Sequence, residues 1–367
     1  MGGAQENTLL SSEGAGRTGR WNVTILSGRP RGKEGELRPP APDARTRLEY
    51  IPFLSREVSP WRDALAFLAL WASLRRLRPD VVHTHSAKGG ILGRWAASLA
   101  GVPRIVHTVH GPFVYGTLGS PWRQLARLAE RLTAPVTDAW VTVSRRLADD
   151  LVSMGIAPRS RVRVVYSGMR SGADRPATDV RARWASHLGL AEGARWIVVV
   201  GRHYRLKGQE FLIEALPAIR RIVPDAAVLL VGDGAYHGAL RQRARSHGVE
   251  EAVRWCGRLA PEEVSDLLGA CDLLVHASLR EGVPRVLVQA QWAGLPAVAF
   301  DLDGAREARG PGCSLVPAGD VRALSHLVSR TLLKGTRGGE APALAVRFGS
   351  IRMVEALLDL YEGGDLR

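Results

Sequence analysis

Lysine is nearly absent from this 367-residue chain. Only Lys33, Lys88, Lys207 and Lys334 stand among its 50 basic residues, and the rest are arginine. Cysteine is also scarce. Cys256, Cys271 and Cys313 are odd in number and lack metal-ligand spacing, which excludes a disulfide framework and a zinc ribbon and reads as free thiols in a reducing compartment. No apolar run reaches the length of a membrane span; the best window, residues 64–74, is short and runs into Arg75, Arg76 and Arg78. No basic region followed by an apolar run opens the chain, so no secretory signal is expected. Gly2 does not begin a myristoylation signal, because Glu6 stands where that signal needs Ser or Thr. Aromatic residues make up 6% and do not interleave with basic ones as in single-strand binders, so no nucleic-acid partner is expected. The expected location is the cytoplasm.

The charge that is present is one-sided. Residues 1–170 hold 25 Lys and Arg against 13 Asp and Glu, a net of +12; subtracting from the totals of 50 and 36 leaves 25 against 23, a net of +2, for residues 171–367. A basic field on one half suits an anionic partner such as a phosphorylated substrate or an anionic membrane surface. The arginine bias is equally readable as genome composition.

Short apolar runs rich in β-branched residues recur at 23–27, 81–84, 105–109, 140–144 and 162–166, and again at 196–200, 227–231, 273–276 and 297–300. Helix-period stretches lie between most of them, at 87–100, 121–134, 145–154, 208–223, 261–270 and 283–293, with a last one at 344–361. Alternation of this kind, with strands apolar on both faces, predicts α/β architecture with parallel sheets covered on both sides. The series restarts after SGMRSGADRPATD (167–179), which reads as a linker. The expected organisation is two doubly wound Rossmann-like domains facing across a cleft, 1–170 and 171–345, with 346–367 a C-terminal helix packing back toward the first. Pro217 within 208–223 predicts a kink or a shifted first turn. In such folds ligands bind beyond the carboxyl ends of the strands, so the strand-end loops are the places to look for chemistry.

Three of those loops carry suggestive residues. In REGVPRVLVQ (280–289), Glu281 and Gly282 precede a helix expected to start near Val283 or Pro284, whose free N–H groups would attract a diphosphate. Gln289 lies eight residues on, two turns further if the segment is helical. In VVVGRHYRLKGQE (198–210), Arg202 and Lys207 sit between a strand end and a helix start, where two cations suit a pyrophosphate leaving group. The spacing is not that of a P-loop. In LLVGDGAYHGAL (229–240), Gly232 and Gly234 allow close backbone approach. Taken alone, 198–210 reads equally well as a basic surface loop, and 280–289 and 229–240 read better as a solvated loop and a plain turn. In the first half, His83, His85, Ser86 and Lys88 cluster at one strand end and His107 and His110 at another. No carboxylate cluster accompanies these histidines, so no metal is expected there; His110, before a Gly-Pro turn, is the best cleft-facing polar group.

Taken in order, GGAQENTLLSSEG, VTILSG, VVHTHSAKGGILGRWAASLAGVPRIVHTVHG, VVYSG, VVVGR…KGQEFLIEAL, LLVGDG, EGVPRVLVQAQWAGLPAVAFDLDGARE and MVEALLDLY resemble the family 4 glycosyltransferases of the GT-B fold over nearly the whole chain. The resemblance implies transfer of a sugar from a UDP- or GDP-linked donor to a glycan or lipid-linked acceptor, with retention of configuration and with neither a catalytic metal nor any other cofactor. It implies a role in polysaccharide biosynthesis, and the basic excess of residues 1–170 fits a peripheral contact with the inner face of the membrane for reaching a lipid-linked acceptor. By position it puts Arg202 and Lys207 on the donor diphosphate, and Glu281 by the donor sugar as the first glutamate of the family's Glu-X7-Glu motif. It lines the sugar and phosphates with Gly282, Val283, Pro284 and Arg285. It sets Asp233 and Gly234 by the nucleotide, His110 by the reacting sugar, and Glu307 in the GxxE loop.

Two departures stand out. The second glutamate of the motif is Gln289 here, an amide that can accept one hydrogen bond and donate one where the carboxylate accepts two. Gly2 and Gly3 resemble the donor- or acceptor-binding loop that follows the family's first strand, yet only Met1 precedes them. The expectation is a start codon further upstream or, failing that, a truncated copy. Either way the first sheet should show a gap, or a poorly paired pair of strands, between 23–27 and 81–84. A nucleotide-sugar epimerase on the same architecture and a non-catalytic nucleotide-binding remnant are the competing readings.

Overall fold

The computed structural model describes residues 3–29, 45–55, 57–111, 120–169, 177–335 and 342–364. The chain divides into two compact units, Met1–Met169 with Phe348–Arg367, and Arg170–Arg347. The linker expected at 167–179 falls largely outside the described residues.

The first unit runs α1 (Gly3–Arg17), β1 (Val23–Ser27), β2 (Thr46–Tyr50), α2 (Pro60–Leu77), β3 (Val81–His85), α3 (Ala87–Ala100), β4 (Arg104–Val109), α4 (Ser120–Thr133), β5 (Ala139–Thr142), α5 (Arg145–Ser153) and β6 (Val162–Val164). Strands β3-β4-β5-β6 form one parallel sheet in that order, and β1-β2 form a separate parallel pair. Among the described residues no strand pairs with both β1 and β3.

Helix α3 rides close to this sheet because its glycines permit it. A Cβ on Gly90 would stand 2.4 Å from the His107 ring, and one on Gly93 would stand 2.9 Å from Thr84 Cγ2. Arg94, one residue on, is fully buried: it donates to Glu130 Oε2 at 2.6 Å and to Thr137 Oγ1 at 3.2 Å, and lies over the Trp140 ring.

The second unit runs α6 (Ala177–Leu188), β7 (Arg195–Val200), α7 (Gln209–Ile222), β8 (Ala226–Val231), α8 (His237–Ser246), β9 (Val253–Gly257), α9 (Pro261–Ala270), β10 (Leu273–His276), α10 (Arg285–Trp292), β11 (Ala297–Phe300), α11 (Asp303–Ala308), β12 (Cys313–Val316), α12 (Val321–Lys334) and α13 (Pro342–Phe348). Its six parallel strands are ordered β12-β11-β10-β7-β8-β9. The chain winds outward from β7 to β9, then returns to the other side of β7 and winds outward again through β12. The topological switch point therefore lies between β7 and β10, where diverging connections open a crevice at the carboxyl ends of the strands. The inner strands are apolar on both faces: Ile197, Val198, Val228, Leu229, Leu274 and Val275 are completely buried.

The helix expected over 344–361 is two helices, α13 and α14 (Ser350–Tyr361). Gly349 between them is extended (φ −68°, ψ 145°) and forms a bridge with Met169, so tertiary pairing interrupts the helical period. Helix α14 belongs to the first unit. It packs on α1 at Gly14, where a Cβ would meet Val354 Cγ2 at 2.3 Å, and it buries Met353, Leu357 and Leu360 with Leu10, Val106 and Val141. Pro217 is the ninth residue of α7, well past its first turn, and the helix continues to Ile222.

Candidate functional site

The loops after β7, β8, β10 and β11 interlock through glycines. Gly208 has φ +66°, and a Cβ there would lie 1.9 Å from the Ala277 carbonyl oxygen. Gly232 has φ +132° and approaches the Gly201 carbonyl just as closely, at 2.1 Å. Backbone hydrogen bonds complete the frame. Leu279 N–H and the Ser278 hydroxyl both donate to the Leu206 carbonyl, at 2.9 and 3.0 Å, and Gly201 N–H donates to Val231 O at 2.9 Å. The positions of the side chains that follow are thus set by rigid backbone.

At the switch point Lys207, from the β7 loop, forms an ion pair with Glu281, from the β10 loop. His276, the last residue of β10, places Nε2 3.6 Å from the same carboxylate oxygen. Burial drives the His276 pKa down to about 4, with Glu281 opposing that shift and Lys207 reinforcing it, so the imidazole is neutral at pH 7. Arg202 lies on the exposed side of the β7 loop, and its carbonyl accepts from Gln209 Nε2 at 3.1 Å. Arg202, Lys207 and Glu281, predicted from two separate sequence segments, thus sit on two neighbouring strand-end loops of one sheet.

The segment 281–284 is not helical. Helix α10 begins at Arg285, with Pro284 just outside it (φ −72°, ψ 107°). This corrects the expected start at Val283 or Pro284. Gln289 is therefore about one helical turn into α10, not two turns beyond Glu281. Gly282 and Val283 are half-buried, as are Arg285 and Gln289. The Gly282 carbonyl is pressed against Gly304 of α11, where a Cβ would be 1.4 Å away, so the loop carrying Glu281 rests on the helix carrying Glu307. Gln291 was not singled out in the sequence, yet it joins these elements: its buried amide donates to the carbonyls of Leu287 and Ala308, both at 2.8 Å.

Asp233 and Gly234 lie in the turn between β8 and α8. Asp233 is exposed and its Oδ1 accepts from Gly234 N–H at 2.7 Å. The turn presses on the β7 loop, since a Cβ on Gly234 would be 2.3 Å from the His203 carbonyl. His203 is buried, and its Nδ1 lies 3.1 Å from Nδ1 of His237, the first residue of α8. Sequence reasoning passed over both histidines, which are 34 residues apart.

In the first unit the predicted strand-end histidines do come together. His85 Nδ1 and His110 Nε2 are 2.8 Å apart, and the rings of His83 and His85 are 4.4 Å apart. His83 bonds Tyr361 Oη at 2.5 Å and Thr108 Oγ1 at 2.6 Å, and His107 bonds Thr84 Oγ1 at 2.8 Å. Burial lowers the pKa of each, His83 to about 3 and His110 to about 4. Ser86, at the turn into α3, has φ +65°, a strained conformation for a residue with a Cβ. Lys88 is held by Asp63 and the Glu57 carbonyl. Gly3, expected in a ligand-binding loop, is instead the first residue of α1; Gly2 lies outside the described residues.

Residues 1–170 match the model of Glycosyltransferase Family 4, and residues 194–334 match that of Glycosyl transferases group 1. A D-inositol 3-phosphate glycosyltransferase of Salinispora arenicola is 30% identical over 308 residues, covering 77% of this chain and 68% of the relative. The UDP-Gal:alpha-D-GlcNAc-diphosphoundecaprenol alpha-1,3-galactosyltransferase of Escherichia coli is 28% identical over 265 residues, 71% of this chain and 68% of that protein. Among solved structures, Anabaena HepE, crystallised with UDP and glucose, superposes with a TM-score of 0.77 at 20% identity over 99% of this chain and 96% of its own. WaaG, a glycosyltransferase involved in lipopolysaccharide biosynthesis, superposes with a TM-score of 0.68 at 17% identity, over 99% and 97% of the two chains. The shared architecture is that of GT-B glycosyltransferases. These comparisons give no support to the epimerase reading.

Proposed function

Because this chain belongs to the family 4, group 1 glycosyltransferases, we propose that it moves a hexose from a UDP-sugar to a glycan or lipid-linked acceptor with retention of configuration. The observation that carries the reading is the Lys207–Glu281 pair at the switch point of the second sheet, with Arg202 on the same loop as Lys207. UDP is favoured over GDP as the donor base because HepE was crystallised with UDP.

In the proposed reaction Arg202 and Lys207 bind the diphosphate, together with the backbone of Gly282 to Arg285 at the start of α10. Their charge stabilises the negative charge that grows as the bond between C1 and the phosphate oxygen breaks. The acceptor oxygen bonds to C1 on the face the diphosphate is leaving, and its proton passes to a phosphate oxygen. No protein base and no catalytic metal are needed for that step. Glu281 contacts the sugar hydroxyls, Gln289 the ribose, and Asp233, Gly234 and Glu307 the nucleotide side of the donor. His110 keeps the role the resemblance implies, a polar contact to the reacting sugar. With Nε2 engaged by His85, Nδ1 of its neutral ring is the nitrogen that would meet the sugar.

A lipid-linked acceptor calls for access to a membrane surface. No helix among the described residues is long and apolar enough to cross one. Two helices of the first unit do expose apolar residues at helical spacing: Leu125, Leu128 and Leu132 on α4, and Trp61, Leu65 and Leu68 on α2. Such faces, in a unit of net basic sequence, suit shallow contact with anionic lipid. Vesicle flotation at low salt tests this, and failure to bind anionic vesicles would remove the membrane from the proposal.

The transfer itself is tested by a donor screen with purified protein, with and without acceptor extracts. Acceptor-dependent release of UDP, with an anomeric product configuration matching the donor, is expected. Donor binding without turnover under any acceptor would favour a non-catalytic remnant.

A further inference from the structure

We infer that His203, His237 and Asp233 form a site for one borderline divalent metal ion of the Zn2+ class in the second unit, beside the nucleotide end of the proposed donor site and with no part in the bond-breaking step. The three side chains come from two loops already locked together. Besides the Gly234 contact, His203 N–H donates to Asp233 O at 3.0 Å and Tyr236 N–H to His203 O at 3.1 Å. One ligand atom from each residue falls within 4.8 Å of the others.

The spacing of the two imidazoles is close to what such an ion needs. With Zn–N bonds near 2.0–2.1 Å at a tetrahedral angle, two ligating nitrogens stand roughly 3.3 Å apart and the ring centres about 5.2 Å apart. Here the Nδ1 atoms are 3.1 Å apart, the centroids 5.3 Å, and the ring planes differ by 17°. Asp233 is exposed and His237 half-exposed, so both side chains have room to turn toward a shared ion, while His203 is buried. Trp255 meets both rings edge to face, at 6.1 and 4.8 Å, and walls one side with apolar surface. His203 Nε2 is buried with no partner among the described residues, so Nδ1 is the nitrogen through which the ring makes its polar contact.

Two imidazoles and one carboxylate select Zn2+, Co2+, Ni2+ or Cu2+ over Mg2+ or Ca2+, which need more oxygen ligands. A fourth position is left for water.

The competing account is a plain hydrogen bond between two imidazoles. Tag-free protein dialysed against chelator separates the two. Titration with Co2+ should produce visible absorption typical of a four-coordinate nitrogen–oxygen site and saturate at one equivalent. Calorimetry should find one Zn2+ and no Mg2+, and Zn2+ should raise the unfolding temperature. His237→Gln should weaken Zn2+ binding by more than about 100-fold, beyond the roughly 10–100-fold scale of losing only an outer-shell partner, and remove the thermal shift. An unfolding temperature unchanged without metal would show the variant folded; should that variant fail to fold, Asp233→Asn, at an exposed position, serves in its place. No saturable binding, binding unchanged in the variant, or a thiolate-to-cobalt charge-transfer band that places the ion on a cysteine would each overturn the assignment.

Discussion

Lys207 and Glu281 are ion-paired across 74 residues of sequence, each on the loop that follows one of the two strands flanking the switch point. The half-buried Lys207 thus already holds one anion, the Glu281 carboxylate, that a second anion can replace. On the proposed function, the diphosphate takes over the lysine and frees Glu281 for the sugar.

Lys207→Ala and Arg202→Ala are each expected to lower kcat by about 100-fold or more, the scale of losing one donor to developing transition-state charge. Steady-state release of UDP measures this. Activity within a few-fold of the parent in both variants would remove these residues from the diphosphate role.

Gln289→Glu should tighten UDP-sugar binding by about fivefold or more. The gain comes from replacing a neutral acceptor of roughly 0.5–1.5 kcal/mol with a charged one of about 1.5–3 kcal/mol. Titration calorimetry decides it, and equal or weaker binding argues that Gln289 does not meet the ribose.

Acid should destabilise the protein through its buried histidines. The pKa of His83 is lowered to about 3, and those of His110 and His276 to about 4, from the usual 6.5. Between about pH 6.5 and 4 the unfolded chain binds protons that the native state excludes, so unfolding gains as pH falls. Each such histidine adds up to ~1.4 kcal/mol per pH unit of loss in that window. Urea midpoints at pH 7.5, 6 and 5 should drop steadily, and a flat profile would contradict the buried neutral cluster.

Arg94→Met should cost about 3–5 kcal/mol, because it leaves Glu130 buried and unpaired. Burial already raises the Glu130 pKa against the opposing pull of Arg94. Adding Glu130→Leu should recover much of the loss by removing the stranded charge. Equal instability of the single and double variants, read from chemical denaturation, would mean the cost is packing alone.

The strands that periodicity missed share one feature. Strands β2, β9 and β12 went unrecognised, and all three are edge strands. An edge strand needs no continuous apolar run: β2 reads TRLEY and β9 reads VRWCG. The interior strands β4, β5, β7, β8, β10 and β11 are buried on both faces, and their apolar runs are visible without a structure. Gly349 shows the opposite failure. A helical period continues through it, and only its bridge to Met169 stops the helix.

The site was legible in the same partial way. Arg202, Lys207, Glu281, Asp233 and His110 could be marked one by one, because a polar residue at the end of an apolar strand is a local pattern. Which of them meet is not local. That Lys207 pairs with Glu281, that His85 bonds His110, and that His203 faces His237 all follow from strand order and from glycines whose missing Cβ lets one loop press on another. By itself the sequence determined the parallel α/β architecture, through doubly buried runs, and the residues available at the strand ends. Tertiary structure alone decided the partners, because hydrogen bonds and ion pairs act over about 3 Å while the chain separates these residues by 25 to 74 positions.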